Sequence, residues 1–153
     1  MRTIAGVIGV GLFVLGLVAV SYAPYHNQPS QQPAQSQAAD AQAQLKTAIT
    51  HAGFAGGGDT LAYVQQHLGH VLNCIEGTKG KNFNQSWGHV CQGQGNGILV
   101  DLKAQSRSGA LMLLAQHADA LAVEGEKTRE LAEARMAAKG AGALLTVVAE
   151  NIK

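Results

Sequence analysis

Beyond Pro33 the chain has no proline, and from Asp40 to Lys153 its apolar residues return at intervals of three and four. That spacing collects them on one face of an α-helix, whereas a half-buried strand needs strict alternation. Ala41, Leu45, Ala48, Ala52 and Ala55 mark a first helix, capped by Asp40 and ended by Gly56, Gly57 and Gly58. Asp59 caps a second helix, with Leu61, Val64, Leu68, Val71 and Ile75 on its face, which runs to Gly77. A third spans Ile98 to Val123, with Leu99, Leu102, Ala110, Leu113, Leu114 and Leu121 together. Glu124, Gly125 and Glu126 reverse the chain into a fourth, carrying Leu131, Ala134, Ala138, Ala141, Leu145, Val148 and Ile152. The pattern predicts an all-α, antiparallel four-helix bundle over 40–153. Alanine at so many of these positions lets helix axes approach toward the lower end of the usual range of about 8–10 Å.

The connection from Gly77 to Gly97 breaks the pattern: it has no period and contains six glycines. Loops of this length are usually functional or disordered, and here Phe83 and Trp87 offer apolar anchors. The only two cysteines are Cys74, in the last turn of the second helix, and Cys91, in the loop. Their spacing matches no zinc ribbon, and a single pair in an exported chain reads as a disulfide stabilising by about 3 kcal/mol. The expected fold is therefore a bundle with a long disulfide-tied loop between helices two and three.

Export is inferred from the opposite end. Ile4 to Ala23 is an uncharged run of twenty residues, long enough to cross a bilayer core of roughly 30 Å. It exceeds the roughly 7–15 apolar residues of a signal-peptide core, and Pro24 follows Ser21-Tyr22-Ala23, which disfavours cleavage there. Residues 1–23 thus read as a signal anchor, with a cleaved signal peptide as the alternative. Arg2 stays cytoplasmic in both cases, which puts the remainder outside the cytoplasm, periplasmic or secreted. The membrane is then a partner through the uncleaved helix. Residues 24–39 are rich in proline and glutamine and carry no charge before Asp40, the composition of a tether. Eleven basic against ten acidic residues leave a net charge of +1, too balanced for an electrostatic binder of nucleic acid.

Histidine is the residue type that points to chemistry. Five of the six lie beyond Asp40: His51, His67, His70, His89 and His117. At 100° per residue His117 falls in the middle of the third helix's apolar face, and His51 and His67 fall on the margins of theirs. In an up-down-up-down bundle these three lie about 6–12 Å from one pole, at nearly one level. His70 is one turn deeper than His67, on the side of Tyr63 and Cys74, where the tied loop brings His89 across it. Imidazoles converging there, His51, His67, His70 and His117, would suit Cu(II), Zn(II) or Ni(II). The plainer alternative makes His117 a hydrogen-bonded core residue and leaves the others partly exposed.

Haem fits less well: His117 with His51, His67, Met112 or Met136 would supply axial ligands, but few aromatics are available to line a pocket. Glu-x-x-His, Cys-x-x-Cys-His and His-Glu-x-x-His are all absent. With no acid placed as a base, the reading is metal handling or sensing rather than catalysis. The rival is a non-catalytic accessory or structural subunit of a membrane-associated complex.

Overall fold

The computed structural model describes residues 34–105 and 109–152; the apolar run 4–23 and the tether up to Pro33 lie outside the described residues. The described chain is all-helical, without strands: α1 (Ala34–Gly57), α2 (Leu61–Glu76), a 3-10 turn (Gln85–Trp87), α3 (Ile98–Lys103), α4 (Gly109–Lys127) and α5 (Leu131–Asn151). None of the described helices is long and apolar enough to cross a membrane. α1 begins at Ala34, ahead of the Asp40 expected to cap it, because the alanines and glutamines from 34 to 39 favour helix and no proline interrupts them.

α1 packs against α2 and α5, and α4 packs against the same two helices, while α3 lies against α1, α2 and α4. The predicted faces of α1 and α5 are the buried ones: Ala41, Leu45, Ala48, Ala52 and Ala55 on the first, Ala134, Ala138, Ala141, Leu145 and Val148 on the second. α2 buries Val64, Leu68, Val71 and Ile75. Its N-cap is Thr60, one residue later than predicted, whose hydroxyl accepts from the Tyr63 amide at 3.3 Å. Asp59 instead pairs with Arg135 of α5, which also donates to the Gly58 carbonyl at 2.6 Å.

The third predicted helix requires correction. It is divided, α3 ending at Lys103 and α4 starting at Gly109. Between them the sequence holds Gln105, two serines and an arginine, with no large apolar residue to bury. Serine is a weaker helix former than alanine or leucine, so the sequence here favours an end to the helix. α4 therefore sets its own phase, burying Ala115, Ala118, Ala122 and Gly125, while Leu113 is 54% exposed. Small residues form the contact because α4 and α5 approach closely. A methyl group at Gly125 would lie 2.7 Å from the Ala137 Cβ and 2.9 Å from Leu68 Cδ1. Gly125 is thus a packing residue inside α4, not the expected reversal.

The connection from α2 to α3 is closed at its root. Gly77 and Gly97 both have positive φ, 67° and 116°, and a Cβ on Gly97 would meet the Glu76 carbonyl at 2.7 Å. Only glycine fits both demands. Beside this junction the buried Gln44 side chain donates to Asp101 Oδ2 at 2.6 Å and accepts from the Gly97 amide at 2.8 Å. Asp101 also accepts from the Asn96 backbone at 3.0 Å and from its side chain at 3.2 Å. The Cys74–Cys91 disulfide, with Cα atoms 5.3 Å apart, fixes the loop to α2 farther along.

Candidate metal centre

The turn between α1 and α2 brings the first two histidines together. In an antiparallel helical hairpin, residues equally far from the turn lie level, and His51 and His67 are equidistant in sequence from Asp59. His70 follows His67 by three residues and so shares its helix face. The outcome is a convergence of three Nδ1 atoms. His51 Nδ1 lies 2.8 Å from His67 Nδ1 and 3.1 Å from His70 Nδ1, and one ligand atom from each of the three residues falls within 4.8 Å of the others.

The remaining nitrogen of His70 defines its tautomer. His70 Nε2 lies within hydrogen-bonding distance of the Trp87 carbonyl oxygen. A carbonyl only accepts, so Nε2 carries the hydrogen, and neutral His70 presents a lone pair at Nδ1. His51 then faces two nitrogens with at most one proton. If it donates to His70, it has no lone pair to accept from His67; if it accepts from His67, two lone pairs face each other across the contact with His70. With all three rings neutral, only one of the two short contacts is a hydrogen bond. A cation at the point of convergence satisfies all three lone pairs at once. At metal–nitrogen bonds of about 2.0–2.1 Å, ligands on one ion sit roughly 2.8–3.4 Å apart for angles of about 90–110°. Both contacts of His51 lie in that interval.

The surroundings favour the neutral form of His51 and His67. Burial, and then the neighbouring His70 and His67, push the His51 pKa down to about 4. Burial and His70 lower that of His67. Aromatic rings wrap the outer side: Tyr63 lies 4.4 Å and Phe54 5.3 Å from the His67 ring, centroid to centroid. Phe54 and Tyr63 also flank a pocket of about 470 Å³. His51 borders a separate groove with Lys46, Thr47 and Gln94, so the centre is not sealed from solvent.

The His51 shift predicts a pH dependence for the metal-free protein. An imidazole at about 4 when folded and at 6.5 when unfolded binds more protons unfolded between those values. Stability from this source is therefore present above pH 6.5 and falls as pH drops toward about 4. Asp119, pushed up to about 7 by burial and by the Glu76 carboxylate, acts in the opposite direction over the same window. The informative quantity is the difference between wild type and His51→Gln in urea unfolding with chelator present. It should shift against the wild type as pH falls from 7 to 4, and a constant difference would contradict the assignment.

The predicted ligands separate cleanly. His51, His67 and His70 meet, and His117 does not join them: it is exposed on α4. The cause is the phase of α4, whose alanine face points inward and carries His117 outward beside Ala118. His89 does not cross His70 either. Its ring meets Phe83 at 5.2 Å, its Nδ1 is buried without a partner, and burial lowers its pKa. The group that reaches His70 is the backbone of Trp87, which side-chain patterns do not reveal; its position four residues before Cys91 is the one signal in the sequence that it lies near α2. The Trp87 indole lies over Gly69, where any side chain would collide with it. Asn73 donates to the Asn84 and Gly88 carbonyls at 2.9 and 2.7 Å and accepts from the Asn84 amide at 2.9 Å, fastening the same segment.

No protein-family model, curated protein or solved structure matches this chain.

Proposed function

We propose that this protein binds one transition metal ion, Cu(II), Zn(II) or Ni(II), through His51, His67 and His70, and that it handles or senses the metal outside the cytoplasm rather than catalysing a reaction. The observation that carries this reading is the convergence of three Nδ1 atoms, with His70 oriented by the Trp87 carbonyl. A ligand histidine whose second nitrogen donates to a backbone carbonyl is the usual arrangement around bound metal. Neutral imidazoles suit all three ions. The disulfide supports an extracytoplasmic setting, and the apolar run 4–23 supplies the means of export and of membrane attachment.

The test is equilibrium dialysis of the full chain, without an affinity tag, against each ion separately, with bound metal measured by mass spectrometry. Wild type should retain one equivalent of at least one ion. The triple variant His51→Ala, His67→Ala, His70→Ala should lose it, and His117→Ala should keep it. Equal metal in wild type and the triple variant would remove the proposal.

A further inference from the structure

The metal centre and the disulfide share a scaffold. His70 precedes Cys74 by four residues on α2, and Trp87, whose carbonyl holds His70, precedes Cys91 by four residues in the loop. The loop rests on α2 at successive points: the indole over Gly69, the Trp87 carbonyl on His70, the Gly88 carbonyl on Asn73, and Cys91 bonded to Cys74. Each hydrogen bond is worth only about 0.5–1.5 kcal/mol net, whereas closing a loop of this size covalently is worth about 3 kcal/mol. The crosslink is therefore the strongest single restraint on the carbonyl that orients His70.

We propose that oxidation of Cys74 and Cys91 completes the metal centre, so that the chain with two free thiols binds metal weakly and the oxidised chain binds it tightly. This rests on the reading of His51, His67 and His70 as the ligands. In the oxidation the two thiols give up two protons and two electrons to a disulfide-bearing oxidant. The Cys74–Cys91 bond forms while the oxidant's disulfide is cleaved to two thiols. Both cysteines are fully buried in the folded protein, so a soluble thiol reaches them only when the loop lifts away, and the oxidised state persists once made. The consequence is a centre that assembles only after the chain reaches an oxidising compartment. Before that, only the seat of the indole on Gly69 and the Asn73 hydrogen bonds hold Trp87 against α2, and His70 Nδ1 is less firmly fixed toward His51.

The experiment is a calorimetric titration of the full chain in mild detergent with Ni(II), comparing oxidised wild type with Cys74→Ala/Cys91→Val, an apolar pair that fills the space of the crosslink. The variant should bind Ni(II) about 10- to 100-fold more weakly, the usual cost of losing an orienting partner of a ligand. It should also lose the slowly exchanging His70 Nε2 proton in nitrogen-15 NMR spectra, which a stabilising role alone would leave in place. A folded variant that binds within twofold of wild type and keeps that proton overturns the proposal. If the variant does not fold, a phosphine reductant is added to the Ni(II)-loaded wild type: release of metal in step with thiol appearance supports it, and thiols appearing with Ni(II) retained overturn it. Where oxidised wild type takes no Ni(II), the same comparison is run with the ion it retains in dialysis; oxidised wild type that binds none of Cu(II), Zn(II) and Ni(II), or binds equally with all three histidines changed to alanine, defeats the ligand assignment itself and the proposal with it.

Discussion

Replacing Gly69 with alanine is expected to expel the Trp87 indole from its seat on α2. The added methyl would lie 2.6 Å from Cγ of the indole and closer still to Cδ2 and Cε3. These atoms belong to the rigid inner part of a ring system and cannot swing aside as the tip of a flexible chain does. Overpacking of this kind costs about 1–3 kcal/mol, and the upper end is expected because Gly69 is buried in the middle of α2, where the backbone cannot shift without disturbing Leu68 and His70. The same displacement carries the Trp87 carbonyl away from His70. Trp87 is the only tryptophan, so its fluorescence reports the event directly. Emission should move to longer wavelength as the ring becomes wetter, and metal affinity should fall together with the urea midpoint. An unshifted emission maximum would show that the indole accommodates the methyl.

Asp101→Ala is expected to cost about 3 kcal/mol in urea unfolding, in a part of the molecule without histidine. The carboxylate is 1% exposed and accepts from the equally buried Gln44, and from both the backbone and the side chain of Asn96. Alanine leaves one Gln44 amide hydrogen buried without an acceptor, since the other already serves the Asp40 carbonyl. An orphaned buried donor costs about 1–3 kcal/mol, and the loss of support for the Asn96–Gly97 segment of the loop adds to it. Asn96 is itself exposed, so water replaces part of what it loses, which keeps the total from running higher. Asp101→Asn retains one acceptor and should fall between wild type and alanine. A change below about 1 kcal/mol for the alanine variant would mean that the network adds little to folding.

The parts of this architecture that were legible in the sequence are those in which one physical effect decides. α1 and α5 each carry an apolar stripe at helical spacing that is buried along its length, although Phe54, Met136 and Val147 lie off it and stay exposed. α4 is different: Leu111, Leu113, Leu114 and Leu121 compete with Ala115, Ala118 and Ala122 for the interior. Counting large residues selects the leucines, but the close approach at Gly125 selects the alanines, and that approach depends on Leu68 and Ala137 in other helices. The misplacement of His117 follows from this one rotation. That His51 and His67 lie close together is legible because it depends only on rise per residue and on the position of the turn. His70 is legible as a ligand candidate, but its orientation depends on the backbone of Trp87, and carbonyl positions leave no trace in side-chain patterns.

The short link between α1 and α2 acts as a gauge. Arg135 clasps it from α5 through the Gly58 carbonyl and Asp59, and the equal arms on its two sides bring His51 level with His67. One residue gained or lost within either helix, between its histidine and this link, would rotate that histidine by about 100° and displace it by about 1.5 Å along the axis. Asp59 is almost wholly exposed, and its chemistry is open to change at little cost. Its neighbours are not: a Cβ at Gly58 would lie 2.5 Å from Tyr63 Cδ1, and Thr60 caps α2, so the level of the two histidines rests on the residues on either side of the exposed one.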